Sequence, residues 1–304
     1  MTPGRPTTVG VVHQVTRAAG RSSRRRRIPV RGVLLGCGGG DRGEAPPFEI
    51  LARLARAAEA SGFDGVWVPD VQPGPGMPGC SSYPGCSGYP GCSGYEAYSL
   101  LGALATVTAS VALGALGSPV DRRPPAVLAK IATTLDALSA GRAVVALAPP
   151  AGGGEDPVGQ VAEAIVAFEL VASGEPASLT GRHVHLDGAV SRPPAVHREG
   201  IPLLVVVDAG RADAVDLATA GDGWVAPIPG AGAGLAAHHP AGDVGDPPVS
   251  LAVLDAGSGP DPAAVEAGAD RAKAAGFTGI VVPVDPADPS AVERVTATGR
   301  RLAG

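Results

Sequence analysis

Three segments of this chain share one local pattern: an alanine-rich stretch, a glycine, one or two further residues, a short apolar run and a proline. They read "EASGFDGVWVP" over residues 59–69, "ATAGDGWVAP" over 218–227 and "KAAGFTGIVVP" over 273–283. Each reads as a joint between a helix and a strand. Gly62, Gly221 and Gly276 stand where the helix closes, because glycine tolerates the left-handed backbone that caps a C-terminus. The runs that follow are apolar at every position, as strands buried on both faces are in parallel sheets. Pro69, Pro227 and Pro283 then end the runs, since proline has no N–H to donate to a ladder.

The rhythm extends along the chain. Strands are expected at 32–36, 65–68, 111–116, 143–147, 203–207, 223–226, 250–254 and 279–282. Helices are expected at 48–60, 95–108, 125–138, 158–172, 211–220, 262–275 and 290–302. In the third of these, Val127, Leu128, Ile131, Leu135 and Leu138 mark one apolar face. Strand–helix alternation implies parallel pairing through right-handed crossovers. Eight units suit a closed (β/α)8 barrel, the TIM-barrel form of the α/β class. A doubly wound open sheet satisfies the same alternation and is the alternative. The sixth unit is the weakest, because "PIPGAGAGLAAHHPAGDVGDPP" is too rich in glycine and proline for a clear helix.

Composition narrows the function classes. Hydrophobic content of 45% and charged content of 17% suit a globule with a large core, and aromatics at 3% leave that core to Ala, Val, Leu and Ile. Net charge is −5, with no body-wide basic patch, so nucleic acid is not an expected partner. No apolar run reaches the roughly 20 residues that span a bilayer, so no membrane partner is expected either. The N-terminus lacks the apolar core of a secretory signal, which points to the cytoplasm and to reduced thiols. Residues 1–31 carry Arg21 and the run Arg24, Arg25, Arg26 and Arg27 without apolar periodicity. They read as a disordered basic extension ahead of a barrel at 32–304.

A tandem hexapeptide, "PGCSSYPGCSGYPGCSGY", occupies residues 78–95 and follows the second strand. In a barrel it falls on the C-terminal face, where the βα loops build active sites. Cys80, Cys86 and Cys92 are six apart, whereas structural zinc sites use closely spaced pairs and four ligands. Cys37 is a conceivable fourth sulfur from the loop after the first strand. The simpler reading is tandem expansion of a short coding unit in a turn-rich loop, since added loop length costs little.

Residues 98–148 bring in a family. A Leu/Ala-rich helix precedes Val111, Leu113 and Gly114. A proline-started helix follows, carrying Pro125, Leu128, Ala129, Lys130, Thr134, Leu135 and Asp136. The turn is Leu138, Ser139, Gly141 and Arg142. This run resembles the luciferase-like monooxygenase family, in particular its actinobacterial branch that uses the deazaflavin coenzyme F420. "ASGEPASLTGRHVHLDGAVSRPPAV" over 172–196 and "GDGW" at 221–224 resemble further family segments. The resemblance spans roughly residues 32–300 and implies a (β/α)8 barrel. Read residue by residue, most of these motifs are architectural. Asp136 and Arg142 read as an ion pair closing a turn at the bottom of the barrel. His183 and His185 read as parts of a β-hairpin excursion, not as metal ligands.

The resemblance also implies a flavin-like cofactor, F420 or alternatively FMN, and hydride transfer involving a small organic substrate. The wall against the ring would be Ala115, Leu116 and Gly117, where glycine permits close backbone approach. The phosphate would sit at Ala209, Gly210 and Arg211, where a strand gives way to a helix. Asp70, at the end of the second strand, and Glu155 are the candidate catalytic acids. Two departures stand out. Val71 occupies the place of a family histidine after Asp70. Ala146, Ala148 and Pro150 stand where the family has a glycine-rich run, and Pro149 and Pro150 remove two backbone donors. They leave open a second reading, a barrel that binds cofactor but has lost catalysis. An unrelated metal-dependent barrel enzyme is a third, without a convincing carboxylate–histidine set. A homodimer is compatible with all three.

Overall fold

The computed structural model describes residues 28–35, 45–70, 95–150, 155–207, 213–218, 220–227, 249–254 and 261–303. Strand β1 (Arg31–Leu34) leads to α1 (Phe48–Ser61), β2 (Gly65–Pro69), α2 (Ala97–Ala105), β3 (Ala112–Pro119), α3 (Pro125–Leu138), β4 (Ala143–Ala148) and α4 (Pro157–Ala172). An antiparallel hairpin follows, β5 (Ala177–Thr180) with β6 (His185–Ala189). The chain continues through β7 (Leu203–Val206), α5 (Ala214–Ala218), β8 (Gly223–Pro227), β9 (Val249–Val253), α6 (Pro262–Ala274), β10 (Gly279–Pro283) and α7 (Ala291–Ala303). Residues 1–27, Cys37, the hexapeptide tract up to residue 94 and the weak sixth unit at 228–248 lie outside the described residues.

Eight parallel strands close in the order β1-β10-β9-β8-β7-β4-β3-β2, which excludes the open sheet. Closure comes from β1, which pairs with β10 on one side and β2 on the other. The first and last helices are neighbours as a result. Gly299 of α7 lies so near Ser61 of α1 that an added Cβ would stand 2.7 Å from the serine Cβ. Ile28, grouped with the extension from sequence, is already packed inside the barrel.

The unbroken apolar runs now have a physical account. On β4, Val144, Ala146 and Ala148 face the barrel interior, while Ala143, Val145 and Leu147 face the helices. Each strand is thus shared between two cores, so both faces select apolar side chains, and the buried polar exceptions, Ser118 of β3 and Ser250 of β9, are hydrogen-bonded. The inner core has one large occupant, Trp67 of β2, which is fully buried. Gly32, Gly65 and Gly114 stand around it. A Cβ at Gly114 would lie 2.6 Å from Trp67 Cδ2, and one at Gly32 2.6 Å from Cδ1. Glycine at these positions of β1 to β3 makes the space that one indole fills. On the outer face Trp224 packs on Phe277 with ring centroids 4.9 Å apart.

The helix-to-strand joints form as expected at two of three sites. Gly62 (φ 99°) caps α1 and Gly276 (φ 86°) follows α6, both in left-handed backbone. Gly221 does not adopt positive φ. It is needed for close approach instead, because a Cβ there would meet the Leu203 carbonyl oxygen at 2.6 Å. Glu59, in the first joint, ties α1 to the turn before β3. Its carboxylate accepts N–H bonds from Ala109, Ser110 and Val111 at 2.5–3.2 Å. Burial raises its pKa, but these bonds outweigh that and hold it below the ordinary carboxylate range.

One architectural expectation is corrected. Asp136 and Arg142 do not form an ion pair with each other. Asp136 accepts the backbone N–H of Ala143 and of Val196, and so fastens the connection before β7 to the end of α3. Arg142 donates to the carbonyls of Ala105, Thr108, Val111 and Ser139. The five N–H groups of a guanidinium can close a helix end that a single carboxylate cannot. The glycine cavity around Trp67 yields a test. Gly114→Ala should lower stability by about 1–3 kcal/mol through overpacking, read as a fall in the denaturant midpoint with unchanged slope.

Candidate active site

Strands β2 and β3 end side by side at the C-terminal face of the barrel. Regular pairing runs from Gly65↔Ala112 to Pro69↔Leu116, and the Asp70 N–H continues it by donating to the Leu116 carbonyl at 2.8 Å. Between β3 and β4 the register is regular as far as Leu116↔Ala146, and then Ser118, not Gly117, pairs with Leu147. Gly117 is the extra residue of a β-bulge, with φ 82°. That left-handed value accounts for glycine here. Asp70 and Gly117 are therefore neighbours, as the sequence reading requires.

The expected wall is only partly a wall. Leu116 faces the barrel interior, whereas Ala115 faces the helices. The other inward residues near this end are apolar and mostly small: Ala146 and Ala148 on β4, Val206 on β7 and Val253 on β9. No inward-facing strand residue among those described is titratable. The proposed phosphate residues Ala209, Gly210 and Arg211 lie outside the described residues. Val207, the last described residue before them, donates its N–H to the Val225 carbonyl at 2.8 Å, at the C-terminal end of β7. Glu155 is exposed and directly precedes Asp156, the N-cap of α4.

Asp70 is 2% exposed and its carboxylate turns toward α2, away from the barrel axis. Arg123 grips it with both terminal nitrogens, Nη1 to Oδ2 at 2.6 Å and Nη2 to Oδ1 at 3.0 Å. The Ser118 hydroxyl donates to Oδ2 at 2.7 Å. Ser118 has one hydroxyl proton, so the Tyr98 phenol, 2.8 Å from Ser118 Oγ, is the donor of the next bond. The chain runs Tyr98 to Ser118 to Asp70, with Arg123 supplying the counter-charge. The guanidinium also lies 5.6 Å over the Tyr98 ring and 3.1 Å from Glu96. Burial, reinforced by the Asp70 charge, pushes the Tyr98 phenol far up and keeps it protonated. Burial opposes the charge on Arg123, yet Asp70 holds its pKa above the ordinary value. The carboxylate expected to move protons is thus committed to Arg123 and Ser118.

Sequence reasoning did not single out Tyr98, Ser118 or Arg123. One signal was available: a carboxylate buried at a strand end requires a cation, and "DRRPP" at 121–125 supplies arginines on the adjacent loop.

A second cluster lies where the β5–β6 hairpin meets the start of α4. Glu163, 7% exposed, accepts the backbone N–H groups of Arg182, His183 and Val184 at 2.7–2.9 Å. This fixes the hairpin turn and sets His183 Nε2 3.0 Å from Asp156 Oδ2. His185 is exposed. The two histidines therefore do not converge, and no group of three metal-binding side chains occurs among the described residues. The His183 hydrogen bond is the main cause that holds Asp156 below the ordinary carboxylate range. A depressed folded-state pKa means that its stabilisation is complete above the ordinary range and is lost as pH falls through the lowered value. Asp156→Asn should therefore lower Tm slightly and evenly at neutral pH. The gap to the unsubstituted protein should close below about pH 4, followed by thermal melts across pH.

Comparison with known proteins agrees with this fold. Residues 29–241 match the profile of a family described as luciferase-like monooxygenase. The fold is shared with coenzyme F420-dependent tetrahydromethanopterin reductase from Methanopyrus kandleri. That match has a TM-score of 0.68 and 15% identity, and covers 90% of this chain and 98% of the other. It is shared too with a monooxygenase from Streptomyces bottropensis, at TM-score 0.69 and 18% identity over 90% and 97% of the two chains. A third is the FMN-complexed oxygenating constituent of 3,6-diketocamphane monooxygenase from Pseudomonas putida, at TM-score 0.65 and 12% identity over 91% and 98%. Comparison with curated protein sequences gives no match. With its profile matched over more than half its length and its barrel closed, the chain belongs to the luciferase-like monooxygenase family.

Proposed function

We propose that this protein is an oxidoreductase that uses coenzyme F420, or alternatively FMN, on a small organic substrate. The observation that carries the reading is the Gly117 bulge beside an apolar barrel mouth. A flat heteroaromatic ring needs an apolar wall that the backbone approaches closely, and Leu116 with the Cβ-free Gly117 fits that need. The small inward residues Ala146 and Ala148 of the adjoining strand β4 leave space beside that wall. F420 is preferred because the branch that the 98–148 segment resembles uses it.

When bound, the cofactor supplies the hydride chemistry. The protein's residues do the rest. Leu116, Val206 and Val253 would exclude water from the cofactor's ring, which would strengthen polar contacts left at the mouth. The β3 backbone at Gly117 would hold the ring. Residues 209–211, between β7 and α5 in sequence, are the proposed seat of the phosphate. Glu155, exposed just before α4, is the proposed acid toward substrate. Asp70 holds the wall in place without touching substrate.

A second reading, cofactor binding without turnover, is favoured by the commitment of Asp70 to Arg123 and by Pro149–Pro150 after β4. One experiment separates them. Purified protein titrated with F420 or FMN should quench cofactor fluorescence with a micromolar Kd. Reduced cofactor should then be reoxidised in single-turnover mixing with candidate carbonyl or alcohol substrates. Saturable binding with no turnover supports the second reading, and no binding of either cofactor overturns both.

A further inference from the structure

We propose that Tyr98, Ser118 and Arg123 are positioning residues that select the bulged register of β3, and through it set the wall of the cofactor site. The consequence for the cofactor rests on the function proposed above. The claim about the bulge does not.

Without the bulge, the regular pairing of β3 with β4 would continue past Leu116↔Ala146, placing Gly117 opposite Leu147 and Ser118 opposite Ala148. Ala148 faces the barrel interior and Leu147 faces the helices. A one-residue slip moves a side chain to the other face of the sheet. In the regular register Ser118 would therefore turn its hydroxyl into the apolar interior, and Asp70 would lose a donor. In the observed register Ser118 pairs with Leu147 and is completely buried on the helix side. There it accepts from Tyr98 at 2.8 Å and donates to Asp70 at 2.7 Å. Leaving a buried polar group unpaired costs more than a satisfied hydrogen bond gains. The polar chain thus discriminates between two registers that the apolar residues alone would not.

Arg123 completes the selection. Asp70 is buried, and its two oxygens are met by a bidentate guanidinium. Without that cation the buried carboxylate would lose its counter-charge and leave its position, and Ser118 would lose its acceptor. Gly117 is then the residue that makes the bulge cheap, and the network is what makes it specific. Neither Tyr98 nor Arg123 need touch a cofactor for this role.

The test uses the full chain and begins without cofactor. Ser118→Ala removes the hydroxyl and lets an apolar side chain face inward. Tyr98→Phe keeps the ring and removes one bond, and serves if Ser118→Ala does not fold. Thr133→Val is the control, because its buried bond to Ser191, 2.8 Å, lies on α3 away from the mouth. Amide hydrogen exchange at residues 116–118 should accelerate about tenfold or more in Ser118→Ala and less in Tyr98→Phe. In Thr133→Val it should stay unchanged at matched loss of Tm. Exchange at 116–118 that merely tracks the control overturns the proposal. In the cofactor arm, Ser118→Ala should also shift the absorption band of bound F420 or FMN, while Thr133→Val should not. Loosened exchange with an unaltered bound spectrum overturns the link to the cofactor wall. If the unsubstituted protein binds neither cofactor, the proposed function fails, while the exchange result still decides the claim about the bulge.

Discussion

Closure of β1 onto β10 is the constraint from which the rest of the molecule follows. A parallel strand in a closed ring has no edge and is covered on both faces, by its own barrel inside and by helices outside. This chain has few aromatic residues with which to fill the inside. It places a single indole there and clears glycines on three adjacent strands to receive it. The barrel is thus filled asymmetrically, with bulk contributed from β2 and alanines facing in from β4. The indole N–H of Trp67 finds no acceptor among the described residues, a local cost set against the large apolar area that the ring buries.

Polarity at the C-terminal face is arranged by the same two-sided geometry. The inner side of the strand ends is apolar, and the charged chain from Tyr98 to Arg123 runs on the outer side, beneath α2. A barrel built this way has an apolar mouth and keeps its own charges behind the strands. Under the proposed function, the protein's contribution is shape and exclusion of water more than a proton-moving side chain on a strand. That division of labour suits a family in which the cofactor carries the reaction.

The closed barrel was legible in the sequence because its signal repeats. Eight apolar runs, each flanked by a glycine or proline stop, leave little topological freedom, and the hairpin at 177–189 was readable from the alternation around His183 and His185. What escaped was long-range. The Asp136–Arg142 pairing failed because two residues near in sequence have more favourable backbone partners, which only the fold brings close. Gly221 resembles Gly62 and Gly276 in sequence but serves close packing against the Leu203 carbonyl of the preceding strand, which only the strand pairing brings near. Arg123 lies 53 residues from Asp70, and no local pattern links them. The bulge at Gly117 was invisible for a related reason: a register shift depends on which residues stand opposite, and periodicity along one strand does not report that.

Arg123 has one more property. Its guanidinium reaches Asp70 and Glu96, which flank segment 71–94. The Tyr95 hydroxyl, next to Glu96 in sequence, donates to the Pro46 carbonyl in the loop before α1. Both roots of the segment are therefore anchored to the scaffold independently of what joins them. For protein engineering, this makes the position a natural graft point. A reporter peptide or a small binding module spliced between the roots would inherit fixed attachment points beside the barrel mouth, and strain from the guest would meet an ion pair before it reached a strand.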